Sequence, residues 1–352
     1  MPRPRPTRTP LSPVLGLALT GTLLLSACGG GTTTGQAGGT GGSGDGAGPA
    51  LSVVASTDVY GDIAAAVAGD AAEITSLISG GNVDPHSYEG TTRDQLALSR
   101  ADVVVKNGGG YDSFVDTMLE ASGTGAVVVD AVEVSGLDTG EGEPADEHAD
   151  EHADEHADEH ADAHEDEHAD EHEGHDHGAF NEHVWYDLAT ARAVAAAVED
   201  ALAQASPDDG ETFAANARAF DEQVSALQER VEQEAATLGA PAVAVTEPVP
   251  LHLLEDLGAQ DLTPPEFSRA VEEDSDAPVA VLQETLSLFT DGRVRALVLN
   301  EQTESAQTDQ VREAAEAAQV AVVPVTETLP EGEDYVSWME RNVDALVAAL
   351  RA

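Results

Sequence analysis

The sequence is poor in cysteine and in basic residues. Cys28 is the only cysteine among 352 residues, so no intrachain disulfide can form. Lysine and arginine together number 15, against 67 aspartate and glutamate residues. Because binding to phosphates of nucleic acid requires clustered basic side chains, we expect no nucleic-acid partner. The formal net charge of -52 instead predicts a surface that attracts cations.

Sequence motifs of two enzyme classes are also missing. The Gly-x-Ser-x-Gly motif of serine hydrolases does not occur. Three glycines at residues 108–110 follow a predicted strand, but the Lys-Ser/Thr of a P-loop does not come after them, so they predict a turn. These absences favour a binding protein over an enzyme.

The N-terminus has the pattern of an export signal. A basic start is followed by an apolar stretch at residues 11–25, which is too short for an ordinary membrane-spanning helix. Small residues then lead directly to Cys28, which resembles the bacterial lipoprotein signal. The resemblance implies a signal peptide at residues 1–27, a lipidated Cys28 and a Gly-rich tether at 28–50. We therefore expect a protein lipid-anchored at the extracytoplasmic face of the cell membrane.

From residue 51 onward, short apolar strands alternate with helical patterns. This alternation predicts an α/β fold with parallel-rich sheets flanked by helices. It is interrupted by an acidic loop and then by a long helical region, before a second alternating region begins. The expected domains are an N-terminal α/β lobe at 51–186, which includes the loop 141–178, a linking helical region at 187–238 and a C-terminal α/β lobe at 239–352.

The acidic loop contains nine of the twelve histidines, much of it as an Ala-Asp-Glu-His repeat. Imidazoles interleaved with carboxylates suit zinc, nickel or copper better than magnesium or calcium. Because nothing fixes its geometry, we expect an accessory tract that binds metal weakly at several places; the alternative is a solvated acidic spacer. The tract histidines are His148, His152, His156, His160, His164, His168, His172, His175 and His177.

Two of the remaining histidines lie in recognisable motifs. His86 lies in Asp-Pro-His-Ser-Tyr-Glu at residues 84–89, on a loop after a predicted strand, where open α/β sheets commonly bind ligands. His183 lies in Glu-His-Val-Trp at residues 182–185, just after the acidic loop. With these motifs the chain resembles the metal-binding solute-binding lipoproteins of bacterial zinc and manganese ABC importers.

The resemblance implies two lobes joined by a long rigid helix, with the metal ion in the cleft between them. It implies four ligands: His86 and His183 from the first lobe, and Glu247 and Glu327 after strands of the second. Glu327 stands where most relatives have aspartate. Glu301, also after a strand, is the reserve ligand, and His252 is the alternative to Glu247. Asp84, Glu89 and Glu182 are expected to orient the ligand imidazoles.

A site with four protein ligands has no open position at which to activate water, which favours metal binding over catalysis. The resemblance implies a cognate ABC permease as partner, and we expect a monomer. The His-rich tract favours Zn²⁺, whereas Glu247 makes Mn²⁺ the alternative. Two other hypotheses are a metal-dependent hydrolase and a surface metal buffer or adhesion protein.

Overall fold

Two four-stranded parallel sheets form the framework of the computed structural model, which describes residues 51–80, 85–137 and 180–352. These residues belong to one unit, Gly48–Ala352. The first sheet has the order β2-β1-β3-β4 and consists of β1 (Leu51–Thr57), β2 (Ala72–Ile78), β3 (Val103–Lys106) and β4 (Val127–Asp130). Its central strands are runs of valine and alanine that are buried on both faces, as expected for a parallel sheet covered by helices.

Among the described residues of this first lobe, four helices connect or follow the strands. They are α1 (Asp58–Ala68), α2 (Thr92–Leu98), α3 (Ser113–Ser122) and α4 (Ala131–Ser135). The start of α2 is fixed by a capping box, in which Thr91 and Asp94 satisfy each other's backbone N–H groups. This cap ends the loop that carries His86.

Two antiparallel helices follow, α5 (Leu188–Ala205) and α6 (Gly210–Leu238), separated by a 3-10 turn that begins at Pro207. With 29 residues, α6 is about 44 Å long at 1.5 Å per residue. Its buried positions, Phe213, Phe220, Val224, Leu227 and Val231, recur at helical spacing. The predicted long linking helix is therefore confirmed.

The second sheet has the order β6-β5-β7-β8, which repeats the order of the first. Its strands are β5 (Ala242–Val245), β6 (Gln260–Asp261), β7 (Ala296–Asn300) and β8 (Ala321–Val325). Its helices are α7 (Leu251–Asp256), α8 (Pro265–Glu272), α9 (Val279–Thr290), α10 (Ala306–Ala317) and α11 (Tyr335–Arg351). The two-lobed α/β fold was predicted correctly; β6 and α8 were not expected.

The registers of the two sheets place two buried asparagines at equivalent points. Val103 of β3 pairs with Val53, and Ala296 of β7 pairs with Val243 at the corresponding positions. Asn107 and Asn300 each lie four residues further along, at the carboxyl end of a central strand, and both are buried. The same edge of each sheet therefore faces the cleft.

Hydrogen bonds connect the lobes. The Asp58 carboxylate accepts from the backbone N–H of Leu329 at 3.0 Å, and the Tyr186 hydroxyl donates to the Thr326 carbonyl at 2.8 Å. One hydrophobic core also contains strand residues of both sheets together with the buried face of α6. The two lobes are thus held by a shared core as well as by the polypeptide link.

Several predicted features lie outside the described residues, namely Cys28, the segments 1–27 and 28–50, and the loop 141–178 with its nine histidines. Within the part of the chain that the structure describes, no helix combines the length and apolar character needed to cross a bilayer.

Candidate metal centre

The structure brings His86 and His183 together although 97 residues separate them. His86 lies on the loop between β2 and α2, and His183 precedes the 3-10 turn Val184–Tyr186 that leads into α5. Their Nε2 atoms are 3.3 Å apart. The His183 side chain is fully buried and that of His86 is 13% exposed, so the pair lies within the cleft rather than on the surface.

Asn181 sets the orientation and the tautomer of His183. The Asn181 Nδ2 donates to the Pro248 carbonyl at 3.0 Å, so its Oδ1 faces the histidine. This oxygen accepts from the His183 backbone N–H at 3.2 Å and lies 2.8 Å from Nδ1. Because an amide oxygen can only accept, Nδ1 carries the proton, and Nε2 presents its lone pair to the cleft.

Tyr111 connects the histidines to the second lobe. Its ring meets that of His86 edge-on, with centroids 4.9 Å apart, and its hydroxyl donates to Glu327 Oε2 at 3.0 Å. Burial, followed by the charge of Glu327, raises the pKa of Tyr111 well above its ordinary value, so the hydroxyl keeps its proton. The predicted turn at Gly108 precedes it, with a φ of +79° that favours glycine.

Glu327 follows β8, and its carboxylate lies close to both imidazoles. Its Oε2 lies 3.5 Å from the Nε2 of His86 and 3.7 Å from that of His183, and its side chain is fully buried. The Glu327 backbone N–H donates to Gln302 Oε1. The side chain of Glu327 is one methylene longer than that of aspartate, but its carboxylate is still directed at the histidine pair.

Glu247 follows β5 and is held beside Glu327 by a shared donor. Asn300 Nδ2 donates to Glu247 Oε2 at 2.6 Å and to Glu327 Oε1 at 2.8 Å. The Thr303 hydroxyl also donates to Glu247 Oε2. One buried amide therefore fixes the spacing of the two carboxylates that the sequence predicted as ligands. No motif in the sequence indicated a role for Asn300 itself.

A third carboxylate, Glu272, was not predicted. It is the last residue of α8, and its Oε1 lies 4.0 Å from His183 Nε2. Glu272, His86 and His183 can each supply a ligand atom within 4.8 Å of the others. Burial, then the negative charges of Glu182 and Glu247, raise the pKa of Glu272 to about 8. No sequence pattern indicated Glu272, because the helix that carries it was not predicted.

The structure places the other candidates elsewhere. Glu301 is exposed and lines a separate pocket with Thr326, Pro330 and Arg341. The Nε2 of His252 lies 3.0 Å from the backbone carbonyl of Asn181, so this histidine supports the Asn181 segment.

The three carboxylates that were expected to orient the imidazoles lie in different surroundings. Glu89 is exposed, and Asp84 lies outside the described residues. Glu182 is buried, and its negative charge acts on Glu272. The amide of Asn181, rather than a carboxylate, orients His183.

The centre thus combines two imidazole nitrogens from one lobe with carboxylates from the other. In a buried cleft, several carboxylates repel one another unless a cation or protons neutralise them. Nitrogen and oxygen donors together suit a divalent transition-metal ion. The arrangement is chemically a metal-binding cleft.

A model of one protein family matches residues 53–349, most of the chain; it is described as ZnuA, zinc-uptake complex component A, periplasmic. Among curated proteins, the manganese-binding lipoprotein MntA of Halalkalibacterium halodurans is 27% identical over 199 residues, covering 56% of this chain and 54% of the relative. The zinc-binding lipoprotein AdcA of Streptococcus pneumoniae is 23% identical over 288 residues, covering 80% and 52%. The chain spans about half the length of these curated relatives.

Solved structures share the fold. The periplasmic zinc-binding protein TroA from Treponema pallidum superposes with a TM-score of 0.64 at 20% identity, covering 86% of this chain and 99% of that one. A crystal structure of ZnuA gives a TM-score of 0.62 at 18% identity, covering 85% and 99%. These similarities show that the chain shares the two-lobed fold of these proteins.

Proposed function

Because the chain belongs to the ZnuA family of zinc-uptake complex components, we propose that it is the metal-ion receptor of an ABC importer. In this function it binds a divalent ion in the cleft between its lobes and delivers it to a cognate permease in the membrane. The ion is cargo, and the protein's task is to bind it tightly and to release it at one partner.

The observation that carries the proposal is the spacing of three donor atoms. The Nε2 atoms of His86 and His183 and the Oε2 atom of Glu327 form a triangle with sides of 3.3, 3.5 and 3.7 Å. Zinc bonds of about 2.0–2.1 Å in tetrahedral geometry separate ligand atoms by about 3.3–3.4 Å. The triangle therefore has nearly the size of one face of a zinc coordination tetrahedron.

His86, His183, Glu247 and Glu327 are the proposed ligands. The position of Glu247 supports its assignment as a ligand, because Asn300 holds its carboxylate beside that of Glu327. Protein groups that fill every coordination position leave no site for an activated water, so the proposal is for binding and not for catalysis.

Zinc is the proposed ion, and manganese is the alternative. Two imidazoles favour zinc, whereas several carboxylates make the site harder and suit manganese. Both ions occur in the names of the relatives, MntA for manganese and AdcA for zinc. A single competitive titration distinguishes them.

The segments outside the described residues complete the proposal. Lipidated Cys28 anchors the protein at the extracytoplasmic face of the cell membrane, and residues 29–50 act as its tether. The histidines of the loop 141–178 raise the local metal supply. The receptor acts as a monomer.

A metal-dependent hydrolase is the competing function. His164 and His168 frame a His-Glu-x-x-His sequence, the spacing of a zinc-protease helix, inside the Ala-Asp-Glu-His repeat. A repeat with histidine at every fourth position generates this spacing without any selection for catalysis. Assays of the zinc-loaded protein against peptides, esters and phosphates should show no turnover.

The proposal is tested by metal titration of the purified protein in competition with a chelator. We expect one tight zinc equivalent per chain in the wild type, and its loss in His86→Ala, His183→Ala and Glu327→Gln. Glu301→Gln is the matched control for the carboxylate, because Glu301 is exposed and lines a different pocket. Wild-type affinity in either histidine variant would contradict the site assignment.

The transport function is tested separately in cells. Zinc uptake that depends on the receptor should disappear when the membrane permease is deleted, because a receptor has no transport role without its permease. A surface metal buffer would instead keep its effect on zinc tolerance in the permease deletion.

A further inference from the structure

Glu272 approaches the histidine pair from the second lobe without being assigned any role. Its Oε1 is 4.0 Å from His183 Nε2, and its side chain is 12% exposed, whereas that of Glu327 is fully buried. Among the described residues, this oxygen is buried and has no hydrogen-bond partner. Glu272 thus lies at the more open side of the centre with one oxygen directed into it.

Burial at this position is unfavourable for a carboxylate in the absence of a cation. Glu272 ends α8, where the negative end of the helix dipole opposes an anion. The like charges of Glu182, Glu247 and Glu327 act on it as well. In the metal-free protein a proton offsets these costs, and a bound divalent ion would offset them in its place, because no hydrogen bond to Oε1 does so among the described residues.

The geometry requires only a small movement to bring Glu272 into coordination. Moving its oxygen from 4.0 Å to the spacing of about 3.3 Å between neighbouring ligand atoms requires a shift of roughly 0.7 Å. Rotation about the side-chain bonds of glutamate provides a shift of this size without movement of α8. Glu247, by contrast, is already held by Asn300 and Thr303.

We infer that Glu272 is a further metal ligand, which makes the centre a five-donor site of two imidazoles and three carboxylates. The inference rests on the proposed function, since it concerns the same ion. It implies a coordination number above four, which zinc tolerates and which manganese prefers. Glu272 and His86, at 12% and 13% exposed, are the ligands of this set that solvent reaches.

The test compares the wild type with Glu272→Gln and Glu273→Gln. Glu273 is the matched control, because it is the next residue, is exposed, and loses the same charge on substitution. Zinc affinity is measured by chelator competition, and the coordination number is measured from the visible absorption of the Co²⁺-loaded proteins, which is intense for four ligands and weaker for five or six. Circular dichroism shows whether each variant folds.

We expect Glu272→Gln to bind zinc at least about 10-fold more weakly and to give the more intense, four-coordinate Co²⁺ spectrum, with Glu273→Gln unchanged. Affinity and spectrum equal to the wild type in Glu272→Gln would overturn the inference while leaving the proposed function intact. Failure of the wild type itself to bind zinc or manganese tightly would overturn both. A crystal structure of the zinc-loaded wild type tests the inference without any substitution. An oxygen of Glu272 within about 2.2 Å of the ion supports the inference, and a nearest oxygen beyond roughly 3 Å from the ion overturns it.

Discussion

Replacement of Asn300 by alanine would remove the amide that holds Glu247 and Glu327 side by side. Each hydrogen of Nδ2 serves one carboxylate, at 2.6 and 2.8 Å, and the residue is almost fully buried. The amide oxygen accepts in turn from the backbone N–H of Gln302 at 3.1 Å. Without the amide, the two carboxylates would face each other across an empty volume and would lose their fixed spacing.

The size of the effect follows from the two bonds. A hydrogen bond to a charged group contributes about 1.5–3 kcal/mol. Two such bonds are lost, and because the site relaxes partly around alanine, we expect the free energy of unfolding of the metal-free protein to fall by about 3 kcal/mol. A loss of this size lowers the melting temperature of a protein this large by about 6–12 °C. Loss of an outer-shell partner should also weaken zinc binding about 10–100-fold.

The substitution Asn300→Asp is a more stringent test of the same argument, because it replaces the shared donor with another negative charge. We expect a larger loss of stability in the metal-free protein than for alanine, and a larger rise of the melting temperature on zinc addition, because the ion neutralises the added charge. Both quantities are read from thermal melts recorded with chelator and with zinc.

Asn216→Ala serves as the matched control. Asn216 makes one hydrogen bond at 3.0 Å to the Val67 carbonyl, away from the centre, so its loss should cost only about 1 kcal/mol and leave zinc affinity unchanged. Zinc affinity of Asn300→Ala equal to that of Asn216→Ala would refute the argument that the shared amide positions the ligands.

Three further predictions concern pH, the loop and the anchor. Because the pKa of Glu272 is raised from 4.5 to about 8, its stabilising contribution is full below about 4.5 and is lost as pH rises through about 8. Melting temperatures of the metal-free wild type should therefore fall more steeply than those of Glu272→Gln as pH rises over that range. Deletion of residues 141–178 should preserve the tight zinc equivalent and remove several weaker ones, as counted by titration at about pH 7.5 and about pH 5.5, either side of the ordinary histidine pKa. Loss of the tightest equivalent would instead show that the loop supplies a ligand. Cys28→Ala should move the protein from the membrane fraction to the soluble fraction without changing its zinc affinity, whereas retention in the membrane would reveal another anchor.

The sequence predicted best those features that depend on local pattern, namely the buried strands and the polar residues that follow them. Strands rich in valine were predictable because burial on both faces demands continuous apolar runs, and β3 was predicted with its observed bounds. His86, Glu247 and Glu327 each follow a strand, and parallel strands bring such positions to one edge of a sheet. The strand-end position indicated His86 directly, whereas Glu247 and Glu327 were expected because the chain resembles the family of metal receptors.

The remaining parts of the centre depend on packing that no local pattern encodes. Glu272 reaches the cleft because α8 lies against the second sheet, and α8 was not predicted at all. Asn300 acts on two carboxylates that lie 53 and 27 residues away in sequence. Asn181 was visible beside His183, but only the fold shows that its amide oxygen turns back onto the ring.

The division of donors between the lobes bears on how metal preference can change during evolution. The nitrogen donors come from the lobe that contains the first sheet, and the oxygen donors come from the lobe that contains the second sheet, which has the same strand order. Substitutions in the second lobe alone can therefore make the site harder or softer while the imidazole pair remains intact. A receptor of the proposed kind could acquire a new cargo ion through substitutions in its second lobe, while the histidine pair of its first lobe stays unchanged.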